Sequence, residues 1–140
     1  MIDPGRYFAA DTSVQHAEGG AFVTWEGLDP IEMVPGLTFQ PVLAENLLVA
    51  FVRFVPNTVA PVHWHAEEQI SFVLEGELEF EVGGEKRIVR RGETVVIPPN
   101  VPHGARTHDT TCLEVDVFHP PPRGLLEAMG KADPSSRQAG

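Results

Sequence analysis

The chain reads as a single all-β domain, a sandwich or barrel, and three observations carry that expectation. Its apolar residues fall in short, strand-length runs rich in Val, Ile and Phe. Thirteen prolines and thirteen glycines are scattered between those runs as punctuation rather than gathered in one segment. The runs also recur at the spacing of a sandwich or barrel, and 140 residues are enough for one hydrophobic core but short for two.

The first 36 residues are the least regular, and "WEGLDPIEMVPGL" reads as an irregular arm or edge strand laid on the barrel. Its Phe22, Trp25 and Met33 could cover the arm's own barrel or pack against a second subunit. Strands are expected at Val49–Val55, Ile70–Leu74, Leu78–Val82, Glu93–Ile97 and Leu113–Phe118. Gly83-Gly84 is a tight hairpin turn within "FEVGGEKRIV". Glu77, Glu79 and Glu81 alternate with Leu78, Phe80 and Val82, so one face of that strand is wet and the other buried. Carried back unbroken, the alternation would put Gln69 on the glutamate face, and a bulge at Gly76 would reset it. "GLLEAMGKA" suggests one short helix and "DPSSRQAG" a frayed tail. The expected organisation is an arm (1–36), a barrel (37–123) and a C-terminal extension (124–140).

A formal charge of -10 repels a phosphate backbone or an anionic membrane, so neither nucleic acid nor membrane is an expected partner. No apolar run approaches the roughly 20 residues that cross a bilayer. The start "MIDPGRYFAA" lacks a basic and apolar leader, and the single Cys112 cannot form an internal disulfide. A cytoplasmic protein acting on a small molecule is expected.

The residues that need explaining are the histidines of "PVHWHAEEQISF". On a strand, residues two apart share a face, so His63 and His65 can aim at one point, and Gln69 has the same parity. Imidazole suits zinc, nickel, copper and iron. His103, after the proline-rich turn of "GETVVIPPNVPHGA", is the candidate fourth ligand from a separate hairpin. On spacing alone, satisfied core or surface histidines remain the alternative. His16, His108 and His119 read as surface residues, Cys112 as a small buried one, and Trp64 as packing or a dimer contact on the opposite face.

Two segments decide between these. "HWHAEEQISFVLEG", His63–Gly76, resembles the first cupin motif, and "GETVVIPPNVPH", Gly92–His103, resembles the second. The resemblance implies a jelly-roll barrel whose mouth holds one divalent metal on His63, His65, Gln69 and His103, with zinc expected and nickel or iron as alternatives. The usual third ligand is a glutamate, and Gln69 stands in its place. Three neutral imidazoles and a neutral amide leave the ion its full charge, which favours Lewis-acid over redox chemistry.

Such chemistry needs a proton carrier. In "LEVDVFHPPPR", Glu114, Asp116 and Phe118 share one face and Leu113, Val115 and Val117 the other, and on parity alone the carboxylates could be solvated charges on an outer face. The ending "DVFHPPPR" is similar to that of cupins that ketonise unsaturated uronates, the KdgF type. That implies Asp116 as acid/base, with Glu114 beside it, Phe118 as a pocket wall and Arg123 as a substrate contact, although an extra proline and His119 depart from the pattern. Arg53, inside an apolar strand, and Phe51, of the same parity, are further candidates for contacting substrate. The expected activity is a metal-dependent, non-redox reaction through a metal-stabilised enolate. Aromatic polyketide cyclisation by intramolecular aldol closure comes first, because a pocket with few cations and several aromatics suits a greasy polyketide. Uronate ketonisation, a metal-dependent dioxygenase and a non-enzymatic sugar-binding or sensor barrel are the alternatives, and a homodimer is expected.

Overall fold

A computed structural model of the protein describes residues 3–130, so the expected tail at 133–140 lies outside the described residues. Ten strands form two antiparallel sheets. The larger runs β1 (Ile31–Val34), β2 (Leu37–Leu43), β3 (Leu48–Phe54), β10 (Cys112–His119), β5 (Glu68–Glu75) and β8 (Thr94–Ile97) in that spatial order. The smaller runs β4 (Val59–His63), β9 (His103–Arg106), β6 (Glu77–Val82) and β7 (Glu85–Arg90). This is an all-β jelly roll. Sheet pairing begins at Ile31, inside the span expected to be arm, because β1 joins β2 as the edge strand, with Ile31 opposite Phe39.

The core lies between the sheets. Leu48, Ala50, Val52 and Phe54 of β3 face inward with Leu37 of β2, and they meet Leu78 and Phe80 of β6 and Ile97 of β8. Burying each large side chain contributes about 1.5–3 kcal/mol. Helix α2 (Arg123–Ala128) adds buried Leu125 and Leu126 to the same core.

Two irregularities set which residues look inward. On β5 the buried positions are odd, Gln69, Ser71 and Val73, whereas on β6 they are even, Leu78 and Phe80. The phase flips because β5 carries an extra residue against β10, where Leu113 pairs with Glu75 but Glu114 with Val73. The chain then turns through Gly76 at φ 78°. A Cβ on Gly76 would sit 2.2 Å from the Thr111 carbonyl oxygen, so only glycine lets the two strands meet there.

The outer face of the larger sheet is covered in part by the arm. Trp25, in a short turn over Trp25–Gly27, stacks on Phe51 with ring centres 5.3 Å apart. Its indole N–H donates to Gln40, whose amide in turn donates to the Leu28 carbonyl at 3.0 Å. The stretch 3–24 is otherwise exposed, including its short helix α1 (Pro4–Phe8). Among the described residues, no helix is long and apolar enough to cross a membrane.

Candidate metal centre and active site

Three separate backbone devices aim three imidazoles at one point. His65 follows the end of β4 and accompanies Gln69 at the start of β5. His103 opens β9 and pairs directly with His63 of β4. His63 would face away if β4 kept its alternation from Ala60, which pairs with Ala105; a bulge at Pro61 and Val62 turns it inward. Gly104 makes room for that bulge, since a Cβ there would lie 3.0 Å from both the Ala60 carbonyl oxygen and the Val62 nitrogen. One ring nitrogen from each of His63, His65 and His103 lies within 4.8 Å of the other two, close enough together that the three could hold a metal ion.

Each ring is oriented by a backbone carbonyl. Nδ1 of His63 meets the Pro61 oxygen at 2.8 Å, Nδ1 of His65 the Glu67 oxygen at 3.0 Å, and Nδ1 of His103 the Val101 oxygen at 2.8 Å. A carbonyl only accepts, so each Nδ1 carries the proton and, in the neutral ring, Nε2 presents a lone pair. Burial holds the His103 imidazole below its ordinary range; the Val101 hydrogen bond opposes this, and the neighbouring His63 and His65 add to it. His103 therefore stays neutral, and its Nε2 is buried without a partner among the described residues.

Gln69 completes the group. Its Nε2 donates to the Ser71 hydroxyl at 2.9 Å, and its Oε1 faces His65 Nε2 at 3.2 Å. With the His65 proton on Nδ1, that last contact sets two lone pairs against each other, which a shared cation would relieve. The orphaned His103 nitrogen points to the same conclusion. Three imidazoles and an amide oxygen fit a divalent ion of the zinc type.

Two buried carboxyl groups sit beside this cluster. The register of β10 against β3 and β5 puts Glu114, Asp116 and Phe118 on the inner face, opposite Val52, Ala50 and Leu48 and opposite Val73, Ser71 and Gln69. Asp116 accepts from the Ser71 hydroxyl at 2.6 Å. Burial, the Asp116 charge and a hydrogen bond to Asp116 push Glu114 well above the usual carboxylate range. Burial raises Asp116 to about 6, against hydrogen bonds from Ser71, Glu114 and Gln69 and the attraction of His65. The hydrogen bond between them raises Glu114 and lowers Asp116, which makes Glu114 the donor and Asp116 the acceptor of the pair, and Glu114 Oε2 is left without a partner among the described residues.

These groups line one cavity of about 430 Å³, within the range of small-molecule sites. Its walls are largely apolar: Met33, Phe39, Phe54, Phe80, Phe118 and Leu125. Among the described residues, no lysine or arginine lines it.

The structure brings together His63, His65, Gln69, His103, Glu114, Asp116 and Phe118, but not the other expected contacts. Phe51 and Arg53 are corrected: they lie on the opposite face of β3 from the cavity. Phe51 is under Trp25, and the Arg53 guanidinium is 5.9 Å from the Trp25 ring centre. Arg123 is exposed at the start of α2 and is not among the lining residues, although Pro122 and Gly124 on either side of it are. Trp64 is exposed, and Cys112 is buried with its thiol pushed up to about 12 by burial first and by nearby carboxylates second. Sequence reasoning missed Ser71, although its parity with Gln69 was a usable signal. It also missed the lining roles of Met33, Phe39, Phe54 and Leu125, which come from elements without chemical motifs.

Comparison with known proteins agrees with this geometry. Residues 50–118 match the cupin domain model. The solved structure of KdgF from Halomonas sp. is 30% identical with a TM-score of 0.72, covering 77% of this chain and all of that one. The polyketide cyclase RemF from Streptomyces resistomycificus is 25% identical with a TM-score of 0.65, covering 74% of this chain and 83% of that one. H2HPP isomerase of Bacillus subtilis is 42% identical over 74 residues, 51% of this chain but only 30% of that protein's length. The two motifs, the jelly roll and these likenesses lead to one conclusion: this chain belongs to the cupin family.

Proposed function

We propose that this cupin enzyme is a metal-dependent isomerase or cyclase that makes and quenches an enolate, with intramolecular aldol cyclisation of a poly-β-ketone as its reaction. The observation that carries the reading is the buried Glu114 and Asp116 pair, one acid and one carboxylate, on the same inner face as Gln69. An acid hydrogen-bonded to a carboxylate is what proton transfer to and from carbon requires. A zinc ion on His63, His65, Gln69 and His103 would supply the positive centre that polarises a carbonyl oxygen.

The chain's own groups do the rest. Asp116 takes the proton from the carbon next to the carbonyl, and that carbon attacks a second carbonyl of the same molecule, forming a carbon–carbon bond. The new alkoxide oxygen takes a proton back from the Glu114 and Asp116 pair, so the step is neutral in electrons and protons. Loss of water then gives the ring its double bond. Phe54, Phe80 and Phe118 form apolar walls that exclude water and suit an uncharged polyketone. The absence of a lining lysine or arginine among the described residues disfavours an anionic substrate.

Ketonisation of a 4,5-unsaturated uronate is the second reading, favoured by the likeness to KdgF along the whole of that chain. Both readings use the same proton carriers. The zinc-loaded protein offered a linear aryl polyketone should speed the appearance of the cyclised, dehydrated product. Turnover of unsaturated galacturonate, seen as decay of its conjugated absorbance, would replace the cyclase reading with the second. Oxygen uptake with either substrate would sink both. The proposal includes a homodimer through the outer face of the larger sheet, where the paired Ile70 and Val96 remain 40% and 61% exposed; a monomeric mass in sedimentation would remove that part.

A further inference from the structure

The Ser71 hydroxyl is fully buried between a candidate metal ligand and the candidate proton carrier. It has one proton to give, and that proton goes to Asp116 Oδ1 at 2.6 Å. Whatever meets Ser71 from position 69 must therefore bring a proton of its own. Gln69 does so through Nε2 at 2.9 Å, which leaves Oε1 as the atom facing His65 Nε2. Turning the amide over would set its oxygen against a hydroxyl oxygen whose proton is already committed. It would also point the NH₂ group, which has no lone pair for a cation, at the histidine cluster.

We infer that Ser71 is a positioning residue that fixes which atom of Gln69 the three-histidine site meets. By handing its own proton to Asp116, it requires a hydrogen-bond donor, hence an amide, at position 69. The direction of two hydrogen bonds thus accounts for a glutamine where the cupin motif usually has a glutamate. A carboxylate at 69 would leave Ser71 with two acceptors and one proton, an unsatisfied arrangement in a buried place. The inference deepens the proposed function, since it rests on Gln69 being a ligand and Asp116 the base.

Metal binding tests it without any substrate. Cobalt(II) serves as the probe ion, with affinity read by calorimetry and ligand geometry by the visible spectrum. Ser71→Ala should weaken cobalt binding about 10- to 100-fold, the usual effect of removing an outer partner of a ligand, and should change the spectrum. Ser71→Thr, which returns the hydroxyl, should restore most of both. Cobalt affinity and spectrum unchanged in Ser71→Ala, or a threonine variant no better than the alanine one, would overturn the inference and leave the proposed function standing. Failure of the unsubstituted protein to bind cobalt would overturn both. Should the alanine variant not fold, the unsubstituted protein still gives an answer by nitrogen-15 NMR. Both side-chain amide protons of Gln69 should persist and stay slow to exchange when zinc is added, because the ion takes Oε1. Loss of either proton signal would contradict the inference.

Discussion

Asp116→Asn should make the metal-free protein more stable at neutral pH while removing its chemistry. Burial lifts the Asp116 carboxyl from 3.8 to about 6, and above both values the folded state bears the whole cost of holding the charge, about 3 kcal/mol. The sign follows from proton binding. Between about pH 4 and 6 the folded state holds a proton that the unfolded state has lost, so stability from this group is full below the lower value and falls as pH rises through the upper one. Asparagine keeps the shape and stays neutral, so it should gain about 1–3 kcal/mol at pH 7.5, the lower figure allowing for a weaker bond from Ser71. At pH 3.5, with the carboxyl mostly protonated in both states, the gain should fall to a few tenths of a kcal/mol. Urea unfolding of both proteins at the two pH values reads this directly. With zinc restored, deuterium entry at the substrate carbon beside the carbonyl should slow by about 10²- to 10⁴-fold. An asparagine variant that is less stable at pH 7.5, or equally stabilised at both pH values, would refute the burial argument. One that retains most of its rate would refute the assignment of the base.

Other residues give sharper single outcomes. His103→Ala should weaken zinc binding by more than about 100-fold, since it removes one of the three imidazoles that would hold the ion; dialysis and elemental analysis would show sub-stoichiometric metal. Gly76→Ala should cost about 3 kcal/mol or more in urea unfolding, because the added methyl meets a backbone oxygen at a positive φ; a loss below about 1 kcal/mol would remove the reason given for the phase reset. Trp25→Ala should lower stability by about 2 kcal/mol through loss of the Phe51 stack and the Gln40 bond, with zinc affinity unchanged. Arg53→Ala should leave turnover within about threefold, and a larger drop would return Arg53 to the list of substrate contacts.

Much of this was legible in the chain because motif and parity agree. His63, His65 and Gln69 are spaced for one face, and Glu114, Asp116 and Phe118 alternate cleanly against Leu113, Val115 and Val117. What parity could not tell is which face is inside. In "LVAFVRF" both faces of β3 carry apolar residues, because Trp25 covers part of the outer one, so parity pointed to Phe51 and Arg53 while Phe54, on the other face, lines the cavity. Bulges are the second obscurity. The reset at Gly76 had a visible glycine to mark it, whereas the one at Pro61 and Val62 depends on the distant Gly104, which only the β4 and β9 pairing reveals. Ser71 was hidden for a third reason. A lone serine in an apolar strand carries no motif, and its importance lies in two hydrogen-bond directions that require the fold.

The proposed chemistry depends on one divalent ion held by three imidazoles and one amide oxygen inside the barrel. X-ray absorption at the zinc edge of the loaded protein tests it most directly. One zinc per chain is expected, with only nitrogen and oxygen neighbours at about 2.0–2.1 Å and the outer-ring scattering of three histidines. A sulfur neighbour near 2.3 Å, or the scattering of one histidine or none, would contradict it.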